Sequence, residues 1–323
     1  MMEASRLKIV FFGTPEFASA QLEAVLQAGF QVVAVVTAPD KPAGRGRHMQ
    51  ASAVKLSALN NGIQVLQPLS LKDEFFISTL RGLAADVFVV VAFRMLPEIV
   101  WAMPKKGTFN LHASLLPDYR GAAPINRAIM NGETISGLTT FFIDAQIDSG
   151  AIILQKKLEI HDTETAGTLH DRMMHEGRSL VVETLNMIAE DRAISKPQEV
   201  ASGNKTLHTA PKIFRDDCRI DWNSPPQTIY NHIRGLSPYP GAFTSLQSAT
   251  GTSTELKILS ASLIKESCNA PARSFCFPDK NRVLVCLKDC SLELNEVQGA
   301  GKKPMKAADF FRGLRNDGSW YAT

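Results

Sequence analysis

Along the first half of the chain, short unbroken apolar runs alternate with stretches whose apolar residues recur at helical spacing. Residues 7–12, 32–37 and 87–92 are rich in Val, Ile and Phe with no polar alternation, the pattern of strands buried on both faces of a parallel sheet. Between the first two, residues 15–28 repeat Phe17, Leu22, Val25 and Leu26 and stop at Gly29, which predicts a helix with one inward face, Thr14 as its N-cap and Pro15 at its first position. Residues 54–60 and 74–83 carry the same spacing more weakly. Residues 163–189 predict a longer helix with Leu169, Met173, Leu180 and Leu185 inward and Thr163 or Thr168 as its cap. Strand–helix alternation of this kind predicts βαβ units in a doubly wound, mostly parallel α/β sheet.

The pattern then changes. Residues 191–206 are polar and mixed and read as a linker. From residue 207 onward, short β-prone runs at 255–259, 282–287 and 291–297 are separated by turn residues, predicting a smaller carboxyl-terminal β-barrel of OB-like type. The division is therefore 1–190, a linker at 191–206, and 207–323.

Composition narrows the class. A chain of 323 residues is long enough for two cores, and 45% hydrophobic with 21% charged residues is ordinary for a globular protein. A formal net charge of +3 is too small for wholesale coating of nucleic acid, so a polyanion must be met by local basic patches. The amino-terminal residues are polar with no apolar signal segment, and no run reaches the roughly 18 apolar residues of a membrane span. The five cysteines, Cys218, Cys268, Cys276, Cys286 and Cys290, are odd in number and match no metal-knuckle spacing. A reduced, cytoplasmic protein without metal is expected.

Candidate chemistry concentrates at residues 109–117. Asn110 and His112 are two apart, so on a strand they project from one face. The strand then gives way to the loop Ser114-Leu115-Leu116-Pro117, and Asp148 in an Asp-Ser-Gly turn can close the group. Amide, imidazole and carboxylate without a Ser or Cys nucleophile suit acyl transfer with no covalent enzyme intermediate. The amide suits an oxyanion. His112 and Asp148 are both candidates for the base, with Asp148 also placed to stabilise an imidazolium and set its tautomer. Residues 37–48 insert Lys41, Arg45 and Arg47 among Gly and Pro with little to bury, which predicts a loop mobile until bound and suited to phosphate contact.

These residues, in this order, resemble the signature of the 10-formyl-tetrahydrofolate-dependent formyltransferase family: the Asn/His pair, the Ser-Leu-Leu-Pro loop and the later Asp. Gly13-Thr14-Pro15-Glu16-Phe17, Lys41-Pro42-Ala43-Gly44-Arg45-Gly46 and Arg120-Gly121-Ala122-Ala123-Pro124-Ile125 resemble the branch whose acceptor is methionine on initiator tRNA. The resemblance runs from Lys8 to about Phe311. It implies a Rossmann-like formyltransferase fold, catalysis by Asn110, His112 and Asp148, and formyl transfer from 10-formyl-tetrahydrofolate to the methionyl amine. It also implies folate contacts from Ser114, Leu115, Leu116 and Pro117 and from Phe93, Arg94, Met95 and Leu96. Contacts to tRNA fall to Lys41, Arg45 and Arg47 and to Lys302 and Lys303 in the last domain. The chain departs from the family's usual Ala-(Tyr or Phe)-Gly-x-Ile-Leu-Pro by one residue and by Arg94 for Gly, closer to purine-pathway relatives, and Arg94 is expected on the pocket rim. A monomer with no membrane partner is expected.

Overall fold

The computed structural model describes residues 7–43, 48–198, 206–248, 251, 253–266, 268, 270–314 and 320–322. The chain divides into two compact units, each drawn from several stretches of sequence. The first takes Met1–Ala122, Ser136–Glu159 and His170–Ala210; the second takes Ala123–Ile135, Ile160–Leu169 and Pro211–Thr323.

In the first unit the apolar runs become the middle of a seven-stranded sheet. Its strands are β1 (Lys8–Gly13), β2 (Gln31–Val36), β5 (Gln64–Leu66), β6 (Val87–Val91), β7 (Thr108–His112), β8 (Ile135–Phe142) and β9 (Ile152–Glu159), in the order β5-β2-β1-β6-β7-β8-β9. A two-stranded hairpin, β3 (Lys41–Ala43) with β4 (His48–Gln50), stands apart. The pairs from β5 through β7 are parallel and β8 joins β7 antiparallel. All five residues of β6 are buried, because helices cover both faces and leave no wet side for polar alternation. Helix α3 (Glu74–Gly82) presses Phe76, Ile77 and Leu80 onto the core of Val10, Phe12, Phe88 and Val90. Helix α1 (Glu16–Gln27) packs against β1, β2 and β6.

The helix starts correct two expectations. Thr14 does not cap α1: Pro15 takes the cap position in extended geometry, and its carbonyl accepts from the Ala18 and Ser19 N–H groups. Side-chain caps appear instead at α2 (Ala53–Asn60), from Ser52, and at α3, from Asp73. The cap of α6 (Ala166–Ala189) is neither Thr163 nor a lone Thr168. Thr165 Oγ1 accepts from the Thr168 N–H, and Thr168 Oγ1 accepts in return from the Thr165 N–H, a reciprocal box that satisfies two end donors at once. The expected inner face of Leu169, Met173, Leu180 and Leu185 is buried.

In the second unit, β10 (Ala242–Ser248), β11 (Ser253–Ile264), β12 (Phe275–Cys276), β13 (Leu284–Cys286), β14 (Ser291–Gly299) and β16 (Trp320–Ala322) form one antiparallel sheet, with β15 (Met305–Lys306) beside β14. A bridge between Ser274 and Tyr321 joins its two edges, closing the sheet into a barrel and removing the exposed edges. Trp222 enters the barrel core and donates its indole N–H to Thr244 Oγ1 at 2.9 Å. Helices α5 (Pro124–Met130) and α7 (Pro226–Gly235) pack together at Gly235, where a Cβ would stand 2.6 Å from Met130 Cγ. Arg234 is buried and donates to Asn231 Oδ1 and to the carbonyl of Glu164, which gives this guanidinium a structural task.

Burial holds the His232 imidazole below the usual histidine range. The unfolded chain then takes up a proton at higher pH than the folded unit does. Stability is expected to fall as pH drops through about 6.5, since the unfolded state binds more protons there. His232→Gln should flatten the dependence of Tm on pH between about pH 8 and pH 5; an unchanged slope would show that another group carries it. Among the described residues no helix is long and apolar enough to cross a membrane.

Candidate active site

Strands β1, β6 and β7 run parallel, with Gly13 paired to Val91 and Val91 to Leu111. Their carboxyl ends therefore open along one edge, the usual ligand edge of such a sheet. Gly13 is required there, because a Cβ would come within 2.6 Å of the Ala18 Cβ. On β7 the alternation works as the spacing predicts. Leu111 points toward Gly177 of α6, while Asn110 and His112 share the opposite face. Asn110 is half-buried, and its amide makes no hydrogen bond among the described residues. His112 is buried.

His112 Nε2 lies 2.9 Å from the Tyr119 carbonyl oxygen. A carbonyl only accepts, so Nε2 carries the hydrogen and the neutral ring leaves Nδ1 bare. Nδ1 faces Asp148 Oδ2 at 3.7 Å, beyond hydrogen-bond length but close for an ion pair. The tautomer is thus set by Tyr119 rather than by Asp148, a role for which the sequence carries no side-chain signal.

Asp148 is held firmly. Its Oδ2 accepts from the Gly121 N–H at 3.0 Å. Its backbone is left-handed (φ 51°), as is that of Tyr119 (φ 59°), each costing on the order of 1–3 kcal/mol that the surroundings must offset. Gln198 braces the Asp148 turn. Its Nε2 donates to the carbonyls of Asp148 (2.9 Å) and Gly150 (2.8 Å), and its Oε1 accepts Nε and Nη2 of Arg120. Gln198 stands in the stretch read as a linker, yet it is buried in the first unit. No sequence signal singled it out. Gly150 completes the turn, since a Cβ there would overlap the Phe142 carbonyl at 1.7 Å.

The loop after β7 is tied to β8 and β9. Thr139 Oγ1 donates to the Ser114 carbonyl and accepts from the Leu116 N–H, and Gln155 Nε2 donates to the Leu116 carbonyl. Ser114 Oγ donates to the Asp118 carbonyl at 2.6 Å. Leu116 and Pro117 are buried, and Leu116 packs with Phe141 and Ile152. Leu115 alone of this quartet is partly open. After β6, Phe93 packs edge-on to Phe12, Leu96 joins the core, and Met95 is 66% exposed. Arg94 lies outside, donating Nη1 and Nη2 to the carbonyls of Leu69 and Pro68.

Lys41 is exposed on β3, whose pairing with β4 gives the basic insertion a hairpin stem. Asp40 anchors that stem through Lys55 at 2.6 Å and through Gln67, contacts that hold its carboxyl below the usual carboxylate range. Arg45 and Arg47 lie outside the described residues. Lys302 and Lys303 are exposed in the turn after β14, with Lys302 Nζ over the Phe310 ring.

Comparison with known proteins bears on this arrangement. Residues 7–185 match the family described as formyl transferase, and residues 212–315 match its carboxyl-terminal domain. The chain is 49% identical to the methionyl-tRNA formyltransferase of Parabacteroides distasonis, covering 97% of this chain and 98% of that one. It is 46% identical to the enzyme of the same name from Bacteroides fragilis, covering 97% of each. Among solved structures, the sugar 3N-formyl transferase WlaRD, determined in the presence of dTDP and 5-N-formyl-THF, superposes with a TM-score of 0.63 at 21% identity. That alignment covers 92% of this chain and 99% of that one, a likeness of fold.

Proposed function

The chain belongs to the formyl transferase family, and from that membership we propose that it moves a formyl group from 10-formyl-tetrahydrofolate to the α-amine of methionine on initiator tRNA. The observation that carries the reading is the end of β7. There a half-buried amide without a hydrogen-bond partner among the described residues stands two positions from an imidazole whose bare Nδ1 faces a carboxylate. The near-full-length relatives at 46–49% identity support the acceptor.

The chemistry follows from these atoms. The neutral amine attacks the formyl carbon, and Asn110 Nδ2–H donates to the oxygen as it gains charge. His112 Nδ1 takes the proton released from the amine, and Asp148 stabilises the resulting imidazolium. The bond to folate N10 then breaks as the His112 imidazolium gives up that proton to N10, so tetrahydrofolate leaves and the neutral imidazole is restored. Phe93 and Leu115 wall the folate, with Arg94 and Met95 at its rim and Leu96 and the Ser114, Leu116 and Pro117 backbone supporting it from behind. We assign Lys41, Arg45 and Arg47, with Lys302 and Lys303, to the tRNA phosphates, which position without reading sequence. The same reading takes residues 1–190, joined by Gln198, as catalytic and 207–323 as tRNA-binding, in a cytoplasmic monomer away from membranes.

Gln198 is a positioning residue in this scheme. Gln198→Ala is expected to lower kcat about 10²-fold, because a misplaced Asp148 turn loses alignment. KM for folate should stay near its starting value, and a rise in KM at constant kcat would remove Gln198 from the mechanism.

The test of the function follows formyl-methionine on charged initiator tRNA, with uncharged tRNA and glycinamide ribotide alongside. Product on charged tRNA alone supports the proposal. Formate release, or formylation of the small amine only, overturns the acceptor.

A further inference from the structure

Three of the five cysteines meet in the second unit. Cys276 lies on β12 opposite Leu284 of β13, and Cys286 is two residues beyond Leu284 on the same face. The two are diagonal neighbours, with sulfurs 3.2 Å apart. The Cys268 sulfur, from the segment after β11, joins them, and all three lie within 4.8 Å of one another. Cys268 also stands 3.1 Å from the hydroxyl of Ser291, which is opposite Cys286 on β14. Cys286 is buried, while Cys268 and Cys276 are half-buried and reachable from solvent.

Sequence spacing conceals this cluster, because the thiols come from three separate segments that only the barrel brings together. None of them takes part in the transfer chemistry. A disulfide would use two sulfurs and leave the third without a task. Three thiolates bound at about 2.3 Å stand about 3.8 Å apart on one face of a tetrahedron, inside the 4.8 Å that bounds these sulfurs, so Cys276 and Cys286 at 3.2 Å need only part slightly to share an ion. We propose that Cys268, Cys276 and Cys286 form a three-thiolate site for a soft, thiolate-preferring divalent cation of the zinc class, with its fourth position open to solvent. Each S–H is replaced by a sulfur–metal bond and its proton leaves to solvent. The bound ion ties β12 and β13 to the segment after β11.

The test titrates the reduced full-length protein with Co²⁺ under anaerobic conditions. One equivalent should produce a sulfur-to-cobalt charge-transfer band in the near ultraviolet, and Zn²⁺ should displace it. Cys268→Ser and Cys276→Ser, at half-buried positions that spare the fold, should each weaken Zn²⁺ binding by at least about tenfold. Cys290→Ser, outside the cluster, should leave it unchanged. The proposal is overturned by absence of the band or by its persistence in both cluster variants. It is equally overturned if, once dioxygen is admitted as oxidant with Zn²⁺ present, residues 276 and 286 close a disulfide in preference to holding metal.

Discussion

Replacing His112 by glutamine is expected to lower kcat by about 10²–10⁴-fold while the fold survives. The comparison with alanine explains the choice. His112→Ala removes the proton carrier but also removes the bond to the buried Tyr119 carbonyl, a net cost of about 0.5–1.5 kcal/mol. A glutamine amide can still donate to that carbonyl, which the imidazole holds through Nε2 at 2.9 Å, yet it cannot take a proton at the place of Nδ1. Asp148→Asn is the matching experiment on the partner. Its side-chain oxygen can keep the Gly121 N–H bond while the charge facing His112 is gone. Single-turnover rates with saturating folate and charged tRNA read both variants, and near-normal turnover in either would remove that residue from catalysis.

The second large effect concerns the oxyanion. Asn110→Ala should reduce kcat by about 10²–10³-fold with little change in KM for either substrate, because the bond strengthens only as the oxygen gains charge. Stability should hardly move, since the amide has no hydrogen bond among the described residues to lose. That combination separates a catalytic donor from a structural one. A fall in Tm with unchanged kcat, or a raised KM alone, would assign Asn110 to the fold or to ground-state binding.

How legible these positions were depends on the range over which their geometry is set. The Asn110/His112 face follows from strand alternation within three residues, and the buried runs of β1 and β6 announce a sheet covered on both sides. Helix bodies were legible for the same reason, whereas their caps were not. Thr163, Thr165 and Thr168 are alike in kind, and only the hydrogen bonds show that the reciprocal pair is Thr165 with Thr168. The hairpin stem of the basic insertion is not legible in the sequence, because three-residue strands carry too little pattern.

The chain by itself therefore determined which chemical groups stand together at the end of β7 and that a parallel sheet presents them. Tertiary structure decided how they are used. The Tyr119 carbonyl chooses which imidazole nitrogen is bare, and Gln198 holds the left-handed turn that presents Asp148. The Ser274–Tyr321 bridge closes the barrel that gathers three cysteines. The physical reason is common to all three: a backbone carbonyl has no residue identity, and contacts between distant segments exist only once packing has met the entropy of bringing them together.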